Sequence, residues 1–140
     1  MTTLVLDASV TLSWCFPDEG SDYADAILQG LEEYRVIVPS LWALEITNAL
    51  LVGERSGRLR AADIRRFVNL VHGLAMLQET LPIEAVLNGV LPLAREHRLS
   101  AYDAAYLDLA IREGASLATL DNAMRKAARK EGVQLVSADG

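Results

Sequence analysis

The sequence predicts an α/β fold with a mainly parallel central sheet and helices on both faces. Three observations predict it. Short β-branched or apolar runs alternate with helical stretches along the whole chain, the pattern of strands joined by helical crossovers. Two of those runs stop on an acid, Asp7 and Asp121, just where a helix begins. The 140 residues, 51% hydrophobic and 23% charged, suffice for a single well-cored domain over 1–140 and are too few for two ordinary ones. That composition also excludes a disordered chain.

Taken in order, Thr3–Asp7 reads as a first strand and Ala8–Phe16 as a short helix, with a turn at Pro17–Gly20. Asp22–Tyr34 has helical spacing on Ala26, Leu28 and Leu31. Arg35–Val38 is a second strand, and Pro39 suits the first turn of a helix reaching Gly57. That helix is apolar almost all round, so it is expected to be well buried. Leu59–Ala75 is an amphipathic helix, Met76–Leu81 a third strand, and Pro82–His97 a helix. Ser100–Glu113 is a helix closed by Gly114. Ala115–Thr119 is a fourth strand, Asn122–Arg129 a helix and Gln134–Val136 a possible fifth strand. No internal repeat, linker or low-complexity tract interrupts this order.

Several function classes fall away. Cys15 has no second cysteine to pair with, so nothing points to an oxidising compartment. Lying among Leu12, Trp14 and Phe16, it reads as packing. No Lys or Arg precedes Arg35, so the basic start of a secretory signal is missing. The apolar run from Leu41 to Val52 is broken by Glu45 and too short to span a bilayer. A cytoplasmic protein without membrane contact is expected. The net charge of −6 argues against general adhesion to nucleic acid. Basic residues nevertheless cluster: Arg55, Arg58, Arg60, Arg65 and Arg66 in one stretch, Arg125, Lys126, Arg129 and Lys130 in another. Singly these read as solvated helix faces; together they could form a path for a phosphate backbone.

The acids carry the chemistry. In a parallel sheet, ligands gather at the carboxyl ends of the strands. Asp7 and Asp121 stand there by construction, and Asp103 opens a helix that could reach the same edge. Helix capping accounts for each of these three taken alone. It does not account for Glu45, which lies in the middle of the predicted apolar helix and shares a face with Leu41, Ala49 and Val52, with Asn48 one turn on. An unpaired carboxylate there is costly unless it takes a proton, a partner or a cation. Two unit charges 4 Å apart repel by about 4 kcal/mol at an effective dielectric near 20. Four clustered acids therefore call for protonation or a cation. With oxygen donors and no paired His or Cys, that cation is Mg²⁺ or Mn²⁺, an ion suited to phosphodiester hydrolysis. His72 and His97 have no ligand-spaced partner and read as structural or surface residues.

Four motifs now stand in order. The stretch from Leu6 to Glu19, LDASVTLSWCFPDE, closely resembles the opening of PIN-domain ribonucleases, the VapC toxins of type II toxin–antitoxin pairs. Pro39 with Glu45 and Asn48 resembles their second motif, Ser100–Tyr106 (SAYDAAY) the third, and Ala118–Asp121 (ATLD) the fourth. The resemblance covers essentially the whole chain. It implies a PIN-like three-layer sandwich and Mg²⁺- or Mn²⁺-dependent endonucleolytic cleavage of RNA. It also implies a homodimer, and inhibition by a VapB-type antitoxin whose tail occupies the active site. Position by position, Asp7, Glu45, Asp103 and Asp121 are the implied catalytic and metal-binding acids, Asp7 and Asp103 being the direct ligands. Ser9, Asn48 and Thr119 are the implied groups that hold carboxylates in place. The Arg groups, with Arg55, Arg58, Arg60, Arg125 and Lys126 foremost, are expected to steer RNA. Asp108, five residues beyond Asp103 on a different helical face, is left out of the set.

Two other classes are weighed. A Mg²⁺-dependent phosphoryl-transfer domain would need either a lysine after a late strand, whereas Lys126 and Lys130 lie in a helical run, or a second Asp where Ser9 stands. A non-catalytic dimeric binding module would leave the acids as caps, and Glu45 stands against that. Metal titration with a nuclease assay separates the two.

Overall fold

The computed structural model describes residues 1–137. Four strands, β1 (Thr2–Leu6), β2 (Tyr34–Pro39), β3 (Met76–Glu79) and β4 (Ser116–Ala118), form one parallel sheet in the order β3-β2-β1-β4. The three consecutive residues Leu4, Val5 and Leu6 of β1 are fully buried. Successive strand side chains point to opposite faces, so both faces of the sheet are covered. Helix α7 (Ala101–Glu113) buries every residue from Ala104 to Ala110, and it packs across β1 and β2. Helix α1 (Ala8–Ser13) packs against α2 (Asp22–Gln29) and α3 (Trp42–Arg55). Helix α4 is Ala61–His72 and α8 is Asn122–Lys130.

The strand order places a switch point between β1 and β4. From β1 the chain builds outward through β2 and β3, then returns to add β4 on the other flank. Ligand crevices of open parallel sheets form where the order reverses in this way. Asp7 follows β1 and Thr119 follows β4 at that point.

Several boundaries differ from the sequence expectation. Pro39 is the last residue of β2, in register with Glu79, and does not open the helix. α3 begins at Trp42, so Glu45 falls in its first turn, not its middle. Nor is α3 buried all round, since Leu44 is 74% exposed and Leu51 and Val52 are also exposed. α1 ends at Ser13 and α2 at Gln29, short of Phe16 and Tyr34, the latter stopped by Gly30. The helix expected over Pro82–His97 is broken into α5 (Ile83–Ala85), a π-helical turn (Val86–Val90) and α6 (Leu91–His97). Pro92 lacks the N–H that would close an α-helical bond to the Asn88 carbonyl, which favours the wider turn just before it. The fifth strand shrinks to one parallel bridge between Leu117 and Leu135. No helix among the described residues is long and apolar enough to cross a membrane.

Candidate active site

Asp7 is the most deeply placed acid of the site, 5% exposed. It sits at the N-cap position of α1, yet its side chain caps nothing. Its Oδ2 accepts hydrogen bonds from the Ser9 hydroxyl at 2.7 Å and the Thr119 hydroxyl at 2.7 Å. A hydroxyl has one hydrogen to give. With both given to Asp7, the 3.5 Å approach of Ser9 Oγ to Thr119 Oγ1 is a contact between two acceptors. Each hydroxyl also accepts a backbone N–H from the β4–α8 turn: Leu120 on Ser9 at 3.0 Å and Asp121 on Thr119 at 3.1 Å. The carboxylate and the turn are therefore built as one unit. Burial pushes the Asp7 carboxyl above the usual range; the Ser9 and Thr119 bonds pull it down, and the Asp121 charge adds to the rise.

Glu45 reaches toward this unit from α3. Its Oε1 accepts from the Tyr106 hydroxyl at 2.7 Å. Tyr106 is fully buried in α7, one turn from Asp103. Burial raises the Glu45 carboxyl, the Tyr106 bond opposes that, and the charges of Asp7 and Asp103 raise it further. The same partnership and burial push the Tyr106 phenol far up, so it stays a donor. Asp103 lies in the first turn of α7, but the cap there is Ser100, whose Oγ accepts the Asp103 N–H at 3.1 Å. Burial, then Asp7, then Asp121 raise the Asp103 carboxyl. Asp121 does cap its helix: Oδ1 accepts from Ala123 N at 2.8 Å and Met124 N at 3.2 Å.

Asp7 is thus coupled by charge to each of Glu45, Asp103 and Asp121 at one sheet edge. Among the described residues no three of these four acids bring oxygens within 4.8 Å of one another. The arrangement fits a hard divalent cation. The donors are all oxygens, Asp7 is oriented through one oxygen by two hydroxyls, Glu45 through one by a phenol, and each leaves its other oxygen free of side-chain donors.

Other predicted residues stand elsewhere. Asn48 is exposed on α3, and among the described residues no hydrogen bond joins it to a carboxylate, so it holds none of them in place. Arg58 is engaged by the fold: it pairs with Asp18 at 3.1 Å and Glu19 at 3.4 Å and lies 4.4 Å over the Phe16 ring. Arg60 and Arg66 both pair with Asp63. Arg125 donates to the Thr119 carbonyl at 2.9 Å and lies 4.8 Å over the Tyr23 ring. Arg55 and Lys126 are exposed. Asp108 is buried and pairs with Arg112 at 2.8 Å. Cys15 is buried and unpaired. Sequence reasoning missed Tyr106 as the partner of Glu45. Its signal was available, because Asp103 and Tyr106 are three apart and share a helical face. A sizeable cavity lined by Met1, Tyr34 and Met76 lies at the opposite, amino-terminal edge of the sheet.

Comparison with known proteins agrees with this fold. The family model of the PIN domain matches residues 4–130. The chain is 32% identical over 121 residues to Ribonuclease VapC3 of Pyrobaculum aerophilum, covering 84% of this chain and 88% of that protein. The crystal structure of PAE2754 from Pyrobaculum aerophilum is similar with a TM-score of 0.67 and 26% identity, over 90% of this chain and 84% of that one. FitAcB from Neisseria gonorrhoeae shares the fold, with a TM-score of 0.64 at 16% identity over 97% of this chain and 98% of that one. A toxin-antitoxin complex from Klebsiella pneumoniae does so with a TM-score of 0.56 at 15% identity, over 85% and 87%. Asp7, Glu45, Asp103 and Asp121 all fall inside the matched span, and the chain belongs to the PIN-domain family, on its VapC branch.

Proposed function

We propose that this single-domain protein is the toxin of a VapBC-type toxin–antitoxin pair, a metal-dependent endoribonuclease acting in the cytoplasm. The observation that carries the reading is Asp7: a buried carboxylate at the β1/β4 switch point, fixed by two hydroxyls, with three more acids in its field. Ancestry supports it, since a relative matched over 84% of the chain is named a ribonuclease.

Asp7 and Asp103 are the direct ligands of Mg²⁺ or Mn²⁺ in this reading, with Glu45 and Asp121 completing the acidic ring. When bound, the ion supplies Lewis acidity to the attacking water and the leaving oxygen of an RNA phosphodiester. The chain's own residues do the rest. Ser9 and Thr119 aim Asp7 and offset part of the penalty that burial places on its charge. Tyr106 does the same for Glu45. Asp121 anchors its Oδ1 on the start of α8 and leaves its other oxygen clear of those bonds. Exposed cations such as Arg55, Arg60 and Lys126 draw the RNA backbone toward a pocket that is negative until metal enters.

The partners follow from the same reading: an antitoxin of the VapB type and a second copy of this chain. The exposed apolar side chains Leu44 and Val52 on α3, and Ile83, Leu87 and Leu91 on the broken helix, support a buried partner face. The test is RNA cleavage by purified protein with EDTA, Mg²⁺ or Mn²⁺, wild type beside Asp7→Asn. Metal-dependent cutting by the wild type alone is expected. Cutting in EDTA, or equal cutting by Asp7→Asn, would overturn the site. No cutting by folded protein with either ion would favour a binding module.

A further inference from the structure

A second donor group stands outside the acidic ring. His97 is the last residue of α6, Glu96 precedes it, and Glu131 caps the carboxyl end of α8. His97 Nε2 lies 3.8 Å from Glu131 Oε2 and 4.0 Å from Glu96 Oε2. One donor atom from each of the three residues falls within 4.8 Å of the other two, the only such three-residue group among the described residues. The imidazole is 94% buried, with a side-chain exposure of 6%. Its Nε2 is enclosed and has no hydrogen-bond partner among the described residues.

That combination has a physical cost and one economical resolution. Distances of 3.8 and 4.0 Å are too long for hydrogen bonds, so the buried nitrogen is aimed between two carboxylates without bonding either. Ligands of a tetrahedral ion with bonds near 2.0–2.1 Å stand roughly 3.4 Å apart. A closure of about half an ångström would bring His97 Nε2 to that spacing from each carboxylate. The carboxyl ends of α6 and α8 converge here, and both present negative partial charge to a cation. Two carboxylates neutralise a dication. Arg98, Lys126 and Lys130 line the same depression with Glu96 and His97 and oppose a cation, so only an ion bound by strong directional bonds would hold there. One imidazole with two carboxylates suits a first-row transition ion, in contrast to the all-oxygen donors at the switch point.

We propose that Glu96, His97 and Glu131 form a second metal site, for a divalent transition ion of the Zn²⁺ class, which ties the end of α6 to the end of α8. Its role is structural. Glu131 is followed by Val133–Val136, the segment that lies along β4, so the ion anchors the chain where it returns to the sheet. The site is independent of the acidic ring.

The test removes the acidic ring first. Asp7→Asn/Asp103→Asn protein is titrated with Zn²⁺ by calorimetry, and its melting is followed with Zn²⁺ and with Mg²⁺. One Zn²⁺ per chain is expected. At a hundredfold excess over the dissociation constant, Zn²⁺ should raise the melting temperature by roughly 5–10 °C, and Mg²⁺ should not. Co²⁺ in place of Zn²⁺ should give the visible bands of a tetrahedral site. His97→Gln and, separately, the milder surface change Glu131→Gln should each weaken Zn²⁺ binding at least tenfold while circular dichroism stays unchanged. Absence of stoichiometric Zn²⁺ binding, or binding that both variants leave intact, would overturn the proposal.

Discussion

The β1–α1 and β4–α8 turns begin alike and end in different chemistry. Each places an aspartate directly after a strand and directly before a helix, in the same extended N-cap backbone: φ −69, ψ 145 at Asp7 and φ −81, ψ 121 at Asp121. Asp121 turns its carboxylate onto the helix N–H groups. Asp7 makes no capping hydrogen bond to them, and its Oδ2 takes the two O–H donors of Ser9 and Thr119 instead. Charged acceptors prefer such short O–H bonds. Helix α1 is left without a side-chain cap, and the carboxylate is held in a buried place where its charge is disfavoured. One turn has given up local stability to orient a charge; the other has kept it.

The sharpest way to break this comparison is to neutralise both acids in turn. Asp7→Asn should lower metal-dependent RNA cleavage by more than a hundredfold, beyond the ~10–100-fold that groups supporting a metal ligand are worth. Its melting temperature without metal should hold or rise, because burial penalises the native charge that Asn lacks. Asp121→Asn keeps a capping oxygen and should lose only about tenfold. Equal losses in parallel assays would show that the two turns contribute alike, and a fall in the Asp7→Asn melting temperature would mean its charge stabilises the fold.

Thr119→Val removes one of the hydroxyls on Asp7 and is expected to cost ~10–100-fold in activity. It also predicts a direction in pH. The Thr119 bond lowers the Asp7 pKa, so its loss raises that pKa further, and the acid limb of the rate profile should move to higher pH. Tyr106→Phe acts likewise through Glu45, with a smaller effect because Glu45 is only half-buried. Stability follows the same sign. Asp7, Glu45 and Asp103 all have native pKa values above their ordinary ones. The metal-free fold therefore holds their contribution fully below the ordinary carboxylate range and loses it as pH rises through the native values. An acid limb that stayed fixed in Thr119→Val would detach Thr119 from Asp7.

Sequence patterning carried the strands, because buried parallel strands are continuous apolar runs and the acids that end them are visible. It put Asp7 and Asp121 at one edge for the same reason, and Asp103 beside them as an acid that opens a helix. It misread the start of α3, since Pro39 fits a helix opening as well as a strand end, and so put Glu45 mid-helix. The exposure of Leu44 and Val52 was illegible because an apolar face says nothing about which protein covers it. Asn48 was placed by motif spacing, and a motif does not state which way α3 faces. Glu131 beside His97 was invisible for a plainer reason: the two are 34 residues apart, and only the packing of α6 near α8 joins them.

The smallest effect isolates capping from charge. Asp121→Ala removes the acceptor for Ala123 N and Met124 N, and losing such a cap costs about 1 kcal/mol, a fall of roughly 3–4 °C in melting temperature for a domain of this size. Asp121→Asn retains the acceptor and should fall by less than half of that. The two variants should nonetheless lose similar activity, because both lose the same charge from the ring around Asp7. If Asp121→Ala were much less active than Asp121→Asn, the cap itself would matter to catalysis. The route would then be mechanical: the Asp121 N–H bonds Thr119 Oγ1 at 3.1 Å, and a frayed α8 start would loosen the hydroxyl that aims Asp7. The kept turn would then be supporting the sacrificed one.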